Sequence, residues 1–139
     1  MEKDMINQLI DTAISQLKYS YTPYSNFKVG AALLGKNGQI YTGCNIENAG
    51  YTATNCAERT AFFKAVSEGV REFQAICVVG GKEGVLTEYT APCGVCRQVM
   101  MEFCNPDIFR IILAVDKEHY QVYTLKELLP LGFGPSNLA

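Results

Sequence analysis

The chain has no tryptophan, a single histidine, no run of basic residues and no apolar stretch long enough to cross a bilayer. Each shortage narrows the field. With 12 lysines and arginines against 14 aspartates and glutamates, the formal charge is -2. No basic stripe is available to track a phosphate backbone, so a nucleic-acid polymer is a poor substrate. A spanning helix needs about 20 consecutive apolar residues, and none is present, so no membrane partner is expected. Met1-Glu2-Lys3-Asp4 leads into an amphipathic pattern instead of an apolar segment with a cleavage site. No export signal is read there, and a cytoplasmic location is expected. The lone His119 stands beside a presumed turn after Asp116 and reads as polarity on an edge strand, not as a metal ligand.

What is present suits one domain spanning 1–139, long enough to bury roughly two-thirds of the surface that its unfolded form exposes. Six cysteines, Cys44, Cys56, Cys77, Cys93, Cys96 and Cys104, are an even number that permits disulfides. A cytoplasmic chain of this size does not need them, and metal binding accounts better for those in motifs. Cys44 and Cys77 fall in apolar strands and Cys104 at a helix end, where cysteine acts as a small buried side chain.

Apolar residues at Met5, Ile6, Leu9, Ile10, Ala13, Ile14 and Leu17 mark one face of a first helix. The tyrosine-rich segment 19–25, broken by Pro23, reads as an irregular connection. Phe27 to Leu34 predicts a strand, Asn37-Gly38 a hairpin turn, and Ile40 to Cys44 the returning strand. A second helix is predicted from about Asn55 to Glu68, with Gly69 as its stop and Cys56 and Glu58 in its first turn. Phe73 to Val79 suits an interior strand, and Gly80-Gly81-Lys82-Glu83-Gly84 is punctuated as a loop. A third helix follows Pro92 and ends at Asn105-Pro106. Ile108 to Val115 and Tyr120 to Tyr123 predict two more strands, the second at an edge. Thr124-Leu125-Lys126-Glu127 has the spacing of a capping box, and the tail from Pro130 to Pro135 is too rich in breakers to prolong that helix. This order predicts an α/β fold, a three-layer α/β/α domain on a mixed five-stranded sheet.

The chemistry concentrates between Cys56 and Cys96. Cys56-Ala57-Glu58-Arg59 places a carboxylate two residues after a thiol, and Pro92-Cys93-Gly94-Val95-Cys96 supplies a pair. Cys93 and Cys96, three positions apart on a first helical turn, can aim both sulfurs at one point. Cys56 can reach that point from the start of another helix. Helix N-termini favour thiolate over thiol, and Arg59 is close enough to help. A Cys-x-x-Cys alone is weak evidence, because structural zinc knuckles, which it fits best, and redox sites use it too. A structural site closes with four protein ligands, however, and no fourth cysteine or histidine stands at a short spacing from these three. Three thiolates would leave one zinc position open for water, and Glu58 could then shuttle a proton during hydrolytic removal of an amine from a ring carbon.

These residues fit the zinc-deaminase signature of histidine or cysteine, any residue, glutamate, then Pro-Cys-x-x-Cys. Over nearly its whole length the chain resembles the small homotetrameric cytidine deaminases of the cytidine/deoxycytidylate deaminase family. The resemblance implies one zinc ion per subunit on Cys56, Cys93 and Cys96, with Glu58 as the catalytic proton shuttle and Arg59 moderating the thiolate charge. It implies that Phe27, in Phe27-Lys28-Val29-Gly30-Ala31, lies against the pyrimidine, and that Asn45 and Glu47 hold the ribose hydroxyls. Ala57 and Tyr51 are expected at the substrate, and Phe133 is expected to enter the pocket of a neighbouring subunit. The implied reaction turns cytidine and deoxycytidine into uridine and deoxyuridine with release of ammonia, by zinc-activated water, in pyrimidine salvage. The implied assembly is a homotetramer with shared active sites and a free pyrimidine nucleoside as substrate. Histidine often stands where Cys56 does, so the chain falls in the three-cysteine group, whose extra negative charge needs the compensation assigned to Arg59 and the helix ends. A blasticidin-S deaminase, which shares the three-cysteine arrangement, is the competing enzyme; a zinc-stabilised binding protein without turnover is the competing class.

Overall fold

The computed structural model describes all 139 residues. The helical spacing near the N-terminus forms α1, Lys3–Ser15, which buries Ile6, Leu9, Ile10 and Ala13. β1, Phe27–Gly35, and β2, Ile40–Cys44, are joined through Asn37-Gly38, where Gly38 has φ 84. α2, Ala57–Ser67, is followed by Gly69 at φ 91, the left-handed stop that glycine permits. β3, Phe73–Lys82, α3, Gly94–Phe103, β4, Arg110–Ala114, β5, Tyr120–Thr124, and α4, Leu125–Leu128, complete the order. The capping box at Thr124 and Glu127 is made in both directions. No helix is long and apolar enough to cross a membrane.

The sheet runs β2-β1-β3-β4-β5 and is mixed: β3 and β4 pair in parallel, and the other neighbours pair antiparallel. Its central strands are apolar at consecutive positions because both faces are covered. Ala32, Leu34, Ala75, Cys77, Val79, Ile112 and Ala114 meet α1 on one face. Ala31, Leu33, Ile76, Val78, Ile111 and Leu113 meet α2 and α3 on the other, around Phe62 and Met100. The predicted three-layer arrangement is therefore present.

One predicted boundary is wrong. Gly80, Gly81 and Lys82 are not loop but the last stretch of pairing in β3, opposite Val29, Lys28 and Phe27. Their glycines serve close approach. A Cβ on Gly81 would sit 1.9 Å from the Val85 carbonyl oxygen, and one on Gly80 would sit 2.9 Å from Thr90 Oγ1. The reversal falls instead on Glu83 and Gly84, at φ 57 and 80. The start of β1 and the ends of β2 and β3 thus lie together at one end of the sheet, beneath the first residues of α2.

That placement depends on Gly43. A Cβ there would lie 2.1 Å from the Ala57 carbonyl oxygen and 2.7 Å from the Ala61 nitrogen, both backbone atoms. Gly43→Ala is expected to lower the unfolding free energy by about 3 kcal/mol, the upper end of ordinary overpacking. Urea denaturation should show a lower midpoint with an unchanged slope; a midpoint equal to that of the parent would contradict the contact.

Candidate metal centre

Two helix starts converge here. Cys56 is the N-cap of α2 and Cys93 the N-cap of α3, both extended, and neither helix start carries an oxygen cap. Cys56 and Cys93 take the cap position that Ser or Asp usually fills, and neither side chain accepts a hydrogen bond from its first-turn amides. Cys56 therefore precedes the first turn it was expected to occupy. Cys96 lies one turn into α3, on its buried face. Cys56 and Cys93 sulfurs are 3.9 Å apart, those of Cys93 and Cys96 3.5 Å, and all three lie within 4.8 Å of one another. Sulfurs bound at 2.3 Å around a tetrahedral ion lie about 3.8 Å apart, so the donor set fits zinc. Cys44, Cys77 and Cys104 are free and buried but outside the cluster. His119 is exposed and bonded to Asp116.

Arg59 Nη2 donates to Cys56 Sγ at 3.3 Å, and also reaches the Thr54 carbonyl. A hydrogen bond from Cys96, and then the bond and charge of Arg59, bring the Cys56 thiol down to about 5 against the opposing effect of burial. Cys96 moves the other way, because it donates to Cys56, is buried and faces Glu58.

Glu58 follows in the first turn of α2 and is only 4 % exposed. Burial pushes its carboxyl up to about 7; its own backbone amide opposes this and the Cys56 charge adds to it. A carboxyl that titrates near neutrality can both accept and return a proton, which an exposed glutamate cannot do as readily.

A cavity of about 170 Å³ opens beside these groups, lined by Glu58, Ala57, Cys56, Cys93, Asn45 and Glu47 among others. Glu47 and Thr54 also border an adjoining cleft of about 380 Å³, which holds Tyr24, Ser25 and Tyr51. The Asn45 side chain is pinned to β1: its Nδ2 donates to the Phe27 carbonyl at 2.8 Å and its Oδ1 accepts from the Val29 amide at 2.9 Å. Glu47 accepts from the Tyr24 and Ser25 amides at 3.0 and 3.1 Å and from the Ser25 hydroxyl. The Ser25 hydroxyl bond, followed by those amides, holds its carboxyl below the usual range. Phe27 is not among the residues that line the cavity, and its ring approaches Gly80. Phe133, 58 % exposed, is absent from the cavity of its own chain, and Tyr51 is 94 % exposed. Sequence reasoning missed Thr90, Ala91, Thr54 and Asn55 as walls, since small residues outside the helices and strands give no periodic signal. A larger cavity, about 530 Å³ among Met1, Lys36, Phe73, Gln74, Ile108 and Arg110, is at the other end of the sheet and holds no metal-ligating cluster.

Three clustered thiols without a fourth protein donor, beside a buried carboxyl, define the donor set of a hydrolytic zinc site, not of a closed structural knuckle. The model of the cytidine and deoxycytidylate deaminase zinc-binding region matches residues 3–112, and the chain belongs to that family. It is 48% identical over 134 residues to a cytidine deaminase of Sporosarcina psychrophila, covering 96% of this chain and 95% of that one. To a probable cytidine deaminase of Dictyostelium discoideum it is 39% identical, with 99% and 90% covered. The crystal structure of a cytidine deaminase from Burkholderia pseudomallei superposes with a TM-score of 0.82 at 45% identity, covering 91% of this chain and 97% of that chain. A cytidine deaminase from Mycobacterium tuberculosis superposes at 0.78 with 36% identity, covering 93% and 97%.

Metal analysis of the purified chain should give one zinc per chain, and Cys96→Ala should reduce it to less than about a tenth, since loss of a sulfur removes a bond that the folded site depends on. X-ray absorption should show three sulfurs and one light atom; four sulfurs would refute an open site.

Proposed function

We propose that this chain is a zinc-dependent cytidine deaminase that hydrolyses cytidine and deoxycytidine to uridine and deoxyuridine, releasing ammonia, with residues 1–139 forming one catalytic domain. The observation that carries the reading is the near-neutral, buried Glu58 set between three clustered thiols and a cavity bordered by Asn45 and Glu47. Cys56, Cys93 and Cys96 hold the zinc, which supplies a Lewis acid that makes water nucleophilic near neutral pH. Glu58 accepts the proton released as the C4–O bond forms and delivers it to N3 of the pyrimidine. It then takes the remaining proton of the hydroxyl added at C4 and hands it to the departing amine, and the C4–N bond breaks as the C4 carbonyl forms and ammonia leaves. Arg59 offsets the charge of the third thiolate, and Ala57 lines the wall beside the ring.

The two adjoining cavities suit a nucleoside better than a free base: the ring fits beside Glu58, and the sugar faces Glu47 where they join. Glu47 can accept from a sugar hydroxyl and Asn45 can both donate and accept. Their bonds to 24–29 fix the orientation of both side chains before substrate arrives. The inner cavity is smaller than the roughly 300 Å³ at the low end of small-molecule sites. Further walls come from neighbouring chains in a homotetramer with shared active sites, which takes up the exposed Tyr51 and Phe133, while Phe27 covers the ring from within its own chain. Six unpaired cysteines suit a reducing cytoplasm and a role in pyrimidine salvage.

Glu58→Ala should retain zinc and lose about 10²- to 10⁴-fold in kcat, the range of general acid–base catalysis. Ammonia release that persists undiminished in the zinc-loaded variant would reject the shuttle. In a panel of cytidine, deoxycytidine, cytosine and blasticidin S, turnover is expected for the two nucleosides; preference for the antibiotic would favour the competing enzyme. Glu47→Ala should raise the KM for cytidine by about tenfold, as a charge-assisted hydrogen bond lost would, with zinc content unchanged; unaltered nucleoside kinetics would remove Glu47 from the site.

A further inference from the structure

After α4 the chain does not trail away. Leu131 takes a left-handed backbone at φ 55 and is fully exposed, yet the residues around it are tightly held. A Cβ on Gly132 would lie 3.0 Å from Leu129 Cδ2 and 3.2 Å from Met101 Sδ, and one on Gly134 would lie 2.9 Å from Met101 Cε. The Gly134 amide donates to Asn137 Oδ1 at 2.8 Å. The partners that grip this hook belong to α3, the helix that carries Cys96. Gln98 Nε2 donates to the Phe133 carbonyl at 2.8 Å. Arg97 bridges the Pro92 carbonyl, next to Cys93, and the Leu128 carbonyl at the root of the tail, both at 2.8 Å.

We infer that Gln98 is a positioning residue for the deamination, acting through Phe133: it fixes the backbone from which that ring projects, so that the ring meets a neighbour's nucleoside already oriented. The inference rests on the proposal that Phe133 enters the pocket of a neighbouring chain. An exposed ring on a loose tail would incur its ordering cost at each binding event, and the clamp removes that cost beforehand. Arg97 carries the same grip to the loop ahead of Cys93, so one helix ties the tail to two of the three clustered cysteines, Cys93 and Cys96.

The test uses the zinc-loaded enzyme. Gln98→Leu should keep one zinc per chain and a kcat within about twofold, and raise the KM for cytidine by about fivefold, the size of one lost neutral hydrogen bond. Gln98→Lys, which keeps a donor of similar reach, should restore most of the KM. In a Phe133→Ala background, which itself raises KM, Gln98→Leu should add nothing. A KM equal to that of the parent, an equal further rise in the Phe133→Ala background, or no effect of Phe133→Ala would each overturn the inference while leaving the deaminase reading intact. Absence of cytidine turnover in the parent would instead defeat the deaminase reading. In that case amide exchange still decides whether the clamp exists: Gly134 should exchange faster in Gln98→Leu, and an unchanged rate would overturn it.

Discussion

Three sulfurs on one divalent ion carry one negative charge too many, and the rest of this end of the molecule is arranged around that excess. Two helices begin at the cluster, each with a cysteine as its cap, so the positive end of each helix dipole lies beside the sulfurs. Arg59 adds a full charge at 3.3 Å from Cys56. Its Nε is buried without a partner, a cost accepted for holding the guanidinium where the sulfur is. Glu58 sits beside this cluster: burial pushes its carboxyl up to about 7 and the Cys56 charge adds to that, which brings it into the range that a proton shuttle needs. The acid is therefore tuned mainly by its exclusion from water, with the charge of the donor cluster as a smaller addition.

Such an arrangement requires helix starts to be placed to within tenths of an ångström, and the sheet does this with missing side chains. Gly43 lets α2 settle on β2 with the Ala57 carbonyl at a distance no Cβ would tolerate, and Gly81 lets the chain after β3 fold back flush on its own strand before it runs to Cys93. The cluster is thus fixed from below by backbone contacts, which relax much less than side chains do. Asn45 and Glu47 extend the same logic to the cleft, where hydrogen bonds to 24–29 hold their polar groups in place instead of leaving them free in solvent.

Much of this is legible in the order of the residues. The period of Ile6, Leu9, Ile10 and Ala13, the unbroken apolar runs of the central strands, and the Thr124–Glu127 box each encode their element locally, and each forms where expected. The cysteine spacing with its following glutamate is equally local. The features that sequence reasoning misses depend on contacts across the fold. Gly80-Gly81 has the look of loop punctuation, and only the pressure of Thr90 and Val85 on it explains why glycine stands there. Gln98 and Arg97 look like solvent-facing residues of an amphipathic helix, because their partners lie 35 and 31 residues further on. Hydrogen bonds to distant backbone carbonyls leave no trace in composition or periodicity.

The division between a finished inner wall and an unfinished outer one has a physical basis. The groups that handle protons must be rigid and dry, so they sit on helix starts with Glu58 sealed beneath. A nucleoside must also enter and leave, and a cavity closed on all sides within one chain would have to open for it. Building the outer wall from separately anchored pieces avoids that conflict. An aromatic at 58 % exposure is a liability on an isolated chain, yet Phe133 is presented on a hook braced by Met101, Gln98 and Asn137. A braced backbone on either side of a ring left largely exposed in its own chain is the physical argument that supports the proposal of a pocket assembled by more than one copy.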